Sequence, residues 1–146
     1  MKKFLLVLLV CVLCVLPALA SASMYTPELM TSDNATADRN GNFEVVLMID
    51  HHISLRDIQI CYESDVGEQL RINSVTTADG VYATFQQGII NLYAPNGMDG
   101  FYLCTISMNC GVKCSSKVEF WINSATGTNG SDVYIMPADY FWLTRR

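Results

Sequence analysis

The sequence predicts an all-β protein, an antiparallel sandwich or barrel of about eight or nine strands. Three observations predict it. From Asn42 onward, apolar residues alternate with polar ones or cluster in short runs. Turn residues recur roughly every 8–12 positions between those runs. No helical periodicity that would mark a crossover separates them.

Residues 1–20 stand apart from that domain. Lys2 and Lys3 give a positive start, and Phe4 to Leu16 is an uncharged apolar run. Pro17 breaks it, and Ala18-Leu19-Ala20 offers small residues at the two positions a signal peptidase reads. At about 13 residues the run is short for a bilayer crossing, which favours a cleaved leader over a retained anchor. Cys11 and Cys14 follow Val10 and Leu13 rather than small residues, so the lipoprotein pattern is not met. Cleavage after Ala20 is expected, giving a secreted or cell-surface protein with no membrane segment after processing. The Lys-Lys opening suits a bacterial leader, in which case the sequons Asn34-Ala35-Thr36 and Asn129-Gly130-Ser131 carry no glycan.

Residues 21–41 are polar, rich in Asp, Asn, Thr and Ser, with a short first strand expected near Met24 to Leu29 and a loop after it. Asp38-Arg39-Asn40-Gly41-Asn42 superficially resembles a calcium loop. Its glycine comes fourth rather than sixth, so a plain turn is expected, with no metal or cofactor. The main sandwich is expected over residues 42–136. Phe43 to Asp50 places Phe43, Val45, Leu47 and Ile49 at period two. In Asp57 to Glu63, Ile58, Ile60 and Tyr62 share one face, and Asp57, Gln59 and Cys61 the other. Leu70 to Val75 repeats the pattern, and Asp79-Gly80 turns the chain. Val81 to Gln86 and Gly88 to Ala94 follow, with a turn at Pro95-Asn96-Gly97. Phe101 to Met108, Lys117 to Asn123 and Asp132 to Met136 complete the set. The tail, residues 137–146, is aromatic and then basic, and is expected to cover a sheet edge or lie over the sandwich.

Charge and motif content narrow the function. Lys2 and Lys3 are two of nine basic residues, so the processed chain keeps 7 against 14 acidic ones, a net charge of −7. An acidic surface without a basic cluster argues against nucleic acid and anionic lipid as partners. The histidines, His51 and His52, are adjacent, and neighbours in an extended chain point apart. The processed chain has no Gly-x-Ser-x-Gly elbow, no His-x-x-x-His pair and no phosphate-cradling glycine loop. It therefore reads as a binding protein and not as an enzyme.

Four cysteines follow the leader: Cys61, Cys104, Cys110 and Cys114. An even number in an exported domain most simply makes two disulfides. Zinc at Cys110-x3-Cys114 is the rival, weakened by the distance to Cys61 and by an oxidising setting. Four cysteines leave three pairings open.

A resemblance now becomes visible. Asn42 to Asp50, followed by Ser54-Leu55-Arg56-Asp57-Ile58-Gln59-Ile60-Cys61-Tyr62-Glu63, resembles the opening of a cohesin domain: an alternating strand, then a segment ending in an aromatic-acid pair. Leu70-Arg71-Ile72-Asn73-Ser74-Val75, Gly88 to Ala94, and Gly100-Phe101-Tyr102-Leu103-Cys104-Thr105-Ile106 are similar to the strands that follow in that family. The similarity spans roughly residues 42–136 and consists of hydrophobic patterns.

The resemblance implies a flattened jelly-roll sandwich and a binding role. Cohesins dock the calcium-loaded dockerin modules of secreted enzymes through one exposed sheet face. It implies Asp57, Asn91 and Leu92 as contacts on that face, with Leu92 the apolar one. It also implies that the Asp57 strand lies beside the Phe101 to Met108 strand, and hence the pairings Cys61–Cys104 and Cys110–Cys114. The family's Asn-x-Asp pattern is here Leu55-Arg56-Asp57, and Pro95 stands where many members carry an acid. Two other readings bear on the face. Asp57 would also suit a strand edge, where a charge blocks aggregation. A sandwich of this kind also serves carbohydrate-binding modules, for which Trp121, Trp142, Tyr82, Tyr93 and Tyr102 could stack on the sugar rings of a polysaccharide.

Overall fold

The computed structural model describes residues 26–50, 52–99 and 101–146. The expected leader and the start of the expected first strand at Met24, both within residues 1–25, lie outside the described residues, as do His51 and Gly100. The strands are β1 (Leu29–Thr31), β2 (Ala35–Thr36), β3 (Asn42–Ile49), β4 (Ser54–Ser64) and β5 (Leu70–Thr76), then β6 (Tyr82–Gln86), β7 (Ile89–Asp99), β8 (Tyr102–Cys110), β9 (Cys114–Gly127) and β10 (Phe141–Arg145). They form a four-stranded sheet in the order β1-β3-β8-β5 and a six-stranded sheet in the order β2-β10-β9-β4-β7-β6. Pairing is antiparallel throughout except for β10 with β2. Of the sandwich or barrel expected from the alternation, the structure is a sandwich of two sheets.

Alternation builds the core. Phe43, Val45, Leu47 and Ile49 of β3 are buried from one sheet, and Ile58, Ile60 and Tyr62 of β4 from the other. Ile90 and Leu92 of β7, Ile106 and Met108 of β8, Val118 and Phe120 of β9, and Phe141 and Leu143 of β10 join them in one cluster. Where the alternation breaks, the ladder shifts. Leu55 and Ile58 are three apart yet both buried, and the register slips between Leu55 and Asp57. A bulge there returns both side chains to the core and puts Arg56 and Asp57 on the solvent side.

The structure corrects four expectations. The first strand among the described residues, β1, begins only at Leu29, the last residue of the Met24 to Leu29 stretch. Residues 132–136 make only isolated bridges, Asp132 to Thr126 and Met136 to Glu28. The tail is a true strand, β10, because Phe141 and Leu143 alternate inward and pair with β9. Pro95-Asn96-Gly97 lies within β7. There Gly97 has φ +85°, and a Cβ on it would meet Thr128 Cγ2 at 2.7 Å and Ser54 Oγ at 2.9 Å. Only glycine fits that bend.

The Asp38 segment is a turn built on its own carboxylate. Asp38 Oδ1 accepts from the backbone N–H of Asn40 and of Asn42, each at 2.8 Å. The bond from Asn42 is the chief reason the carboxyl sits below its usual range. A lowered carboxyl stabilises the fold above its unfolded pKa and loses that contribution as pH falls through the folded one. Asp38→Asn should therefore flatten the acid limb of a stability-against-pH curve. An unchanged limb would show that the carboxylate is not bonded to the turn.

Tyr62 is a second exception to a tidy core. Its side chain is buried 5.6 Å from the Phe120 ring, and its hydroxyl has no hydrogen-bond partner among the described residues. Burial pushes the phenol up, and the nearby Gly88 backbone offsets part of that rise without meeting hydrogen-bond geometry. Tyr62→Phe removes an unsatisfied group at nearly constant shape. Stability should stay level or rise by up to about 1 kcal/mol in urea denaturation. A clear loss would reveal a partner for the hydroxyl.

Candidate docking face

β4 runs through the six-stranded sheet between β9 and β7. With Ile58, Ile60 and Tyr62 in the core, Asp57, Gln59, Cys61 and Glu63 fall on the solvent side. Register then assembles rows across the sheet, because cross-strand partners share a face. Asp57 lies opposite Tyr93 and Thr126, Gln59 opposite Asn91 and Ser124, and Cys61 opposite Ile89 and Trp121. β6 extends the rows, with Tyr82 beside Tyr93 and Thr84 beside Asn91.

A row of amides occupies the middle. Asn123 Nδ2 donates to Gln59 Oε1 at 2.6 Å, and Gln59 Nε2 donates to Asn91 Oδ1 at 2.9 Å. Three strands are thus tied together on the outside by side chains as well as by backbone. Tyr82 and Tyr93 sit at one end of this row, 64% and 45% exposed. Trp121, half-buried, sits at the other. Beyond it, Trp142 lies opposite Lys117 and stands edge-on to Tyr140, with ring centroids 6.1 Å apart. Lys117 Nζ lies 4.3 Å from the Tyr140 centroid and pairs with Glu119, and that pairing is the main reason its ammonium is raised. The surface is mainly polar and edged with aromatic rings.

Asp57 and Asn91 both lie on this face, one row apart. Asp57 Oδ2 accepts from Arg56 Nε at 2.9 Å, with both side chains well exposed. Since β4 is an interior strand, Asp57 does not guard a sheet edge. Leu92 is a correction. It is 1% exposed and points into the core, because the residues flanking it, Asn91 and Tyr93, take the outward positions. Gln59, Asn123 and Tyr93 are the face residues that the sequence did not single out as docking contacts. Alternation places Gln59 outward, but nothing in the sequence indicates that it bonds to Asn91 and Asn123.

The cysteines also need correction. β4 and β8 belong to different sheets, so the Asp57 strand does not neighbour the Phe101 to Met108 strand. Cys61 faces outward from one sheet, and Cys104 is buried in the other with its thiol pushed up to about 12 by burial. The Cys61–Cys104 pairing therefore loses its basis. All four thiols are free, but Cys110 Sγ and Cys114 Sγ stand only 3.3 Å apart. Among the described residues, no group of three or more His, Cys, Asp or Glu side chains gathers to hold a metal. His52 stacks edge-on against Phe101, with centroids 4.3 Å apart.

No protein-family model and no curated sequence matches the chain. Solved structures do. A non-cellulosomal cohesin from the hyperthermophilic archaeon Archaeoglobus fulgidus superposes with a TM-score of 0.63 at 12% identity, over 84% of this chain and 92% of that one. A chain of the crystal structure of a CaDoc0917 variant with CaCohA2 at pH 5.5, a cohesin–dockerin complex, gives 0.61 at 12% identity, over 83% of this chain and all of that one. The fold is that of a cohesin module.

Proposed function

We propose that the chain is a secreted, non-catalytic docking module that binds a dockerin-type protein through the outer face of its six-stranded sheet. The observation that carries this reading is the amide row Asn123–Gln59–Asn91, spanning three strands with tyrosines at one end and Trp121 at the other. A protein interface draws on aromatic anchors and on hydrogen-bonding groups held in place beside them. This face has both, on rigid strands. The fold shared with a chain of a cohesin–dockerin complex supports the same reading. Export rests on the leader at residues 1–20, and the Lys-Lys opening points to a bacterial cell surface or medium.

Sugar stacking is less well served. The exposed rings of the face are split between its two ends, with amides between them, rather than aligned as a row.

The test is a pull-down of the processed protein against its own organism's secretome, with and without calcium. Recovery of a calcium-dependent partner carrying duplicated Asp/Asn-rich loops supports docking, and Asp57→Ala should weaken that recovery without lowering stability appreciably. Among the described residues Asp57 pairs with the exposed Arg56, and exposed ion pairs contribute about 0–1 kcal/mol. Recovery of nothing, or only of polysaccharide-bound material, would overturn the reading.

A further inference from the structure

We propose that Cys110 and Cys114 are an oxidation site, forming an intrachain disulfide that staples the two sheets together where the C-terminal strand is anchored. This inference does not depend on the docking reading.

Topology makes the pair consequential. β8 ends at Cys110 in the four-stranded sheet, and β9 begins at Cys114 in the six-stranded sheet. Only Gly111, Val112 and Lys113 lie between them. A bond here would span the two layers of the sandwich rather than two neighbours in one sheet.

The surroundings hold both sulfurs in place. Cys110 N–H donates to Gly41 O at 2.9 Å, and Gly111 N–H donates to Gln69 O at 2.8 Å. The Cys110 carbonyl accepts from the Arg145 guanidinium, which also reaches Arg39 O at 3.3 Å. Arg145 is in turn the register partner of Cys114 at the end of β10. A Cβ at Gly41 would collide with the Cys110 carbonyl, and φ there is +89°, so the turn is shaped to pass close to this point. The thiols, already 3.3 Å apart, need only a small movement to bond. Neither other cysteine of the described residues competes. Cys104 is sealed in the core, and Cys61 lies on the outer face of the six-stranded sheet, opposite Trp121 and well along β9 from Cys114.

Oxidised glutathione, or a disulfide-carrying exchange protein, supplies the oxidising equivalents. The less buried Cys114 attacks as its thiolate, forming a mixed disulfide and expelling one glutathione thiolate. The Cys110 thiolate then attacks Cys114 Sγ and expels the second. Two protein protons end on two glutathione thiols, and one glutathione disulfide is reduced as the protein bond forms.

The test uses the purified chain equilibrated with oxidised glutathione or with dithiothreitol. Lys113 lies between the two cysteines, so trypsin separates Ile72–Lys113 from Cys114–Lys117 unless a bond joins them. The first peptide also holds Cys104, so the link must persist in Cys104→Ser and vanish in Cys110→Ser to be assigned. The oxidised protein should melt roughly 5–10 °C higher than the reduced one. Amide exchange over Phe141–Arg145 should slow several-fold. Should the serine variants fail to fold, the oxidised and reduced wild-type chains still give the comparison. Persistence of both thiols under oxidised glutathione, a bond mapped to Cys61 or Cys104, or a bond that leaves melting and β10 exchange unmoved would overturn the proposal.

Discussion

Leu92→Ala is expected to lower the free energy of unfolding by about 2–5 kcal/mol. Leu92 is 1% exposed and sits on β7 between Ala83 of β6 and Ile58 of β4. Truncation removes buried methyl groups, and the rigid strands on both sides prevent the gap from closing, so a cavity cost adds to the lost transfer energy. The expectation opposes the one a docking contact would carry, which is weaker binding at unchanged stability. Urea denaturation decides between them. A midpoint within a few tenths of a molar of wild type would mean that Leu92 is not in the core and that the β7 register is wrong.

Gln59→Ala should behave in the opposite way. Gln59 is half-buried at the centre of the outer face and holds Asn91 and Asn123 in place. Removing it leaves two amides that water can satisfy, so stability should change by less than about 1 kcal/mol. Affinity for the captured partner should fall roughly 10–100-fold, the range for a residue at the centre of an interface. Titration calorimetry against the recovered partner measures this. Unaltered affinity together with unaltered stability would move the docking surface off this face. Paired with Leu92→Ala, the experiment separates the two sides of one sheet by two different readouts.

Much of this was legible in the residues. The alternation of Phe43, Val45, Leu47 and Ile49, and of Ile58, Ile60 and Tyr62, located β3 and the middle of β4 and assigned their buried sides. It also put Asp57 and Gln59 together on the other, outward side. It failed where a bulge or a weak pattern intervened. The β10 segment reads from sequence only as an aromatic stretch over a sheet edge because five residues offer a short pattern, and Pro95-Asn96-Gly97 reads as a turn although β7 continues through it. The outward placement of Leu92 fails for a different reason. Its outward role came from a family pattern, whereas its own parity with Ile90 and Ala94 placed it inside.

The sequence by itself determined that the chain is all-β, roughly where its strands lie, and which way most side chains face along each. Those are properties of single strands: the pleat repeats every two residues, and burial selects the apolar side. The tertiary structure alone decided which strands are neighbours. β4 and β8 read as equivalent hydrophobic strands, yet they lie in opposite sheets, which separates Cys61 from Cys104 and brings Cys110 to Cys114 across the sandwich. The same partnering turned Asn91, Gln59 and Asn123, spread over three distant segments, into one row. Period-two alternation records the facing of a residue on its own strand and carries no information about the strand alongside. That is settled by the crossing connections and by the packing of two sheets around one core.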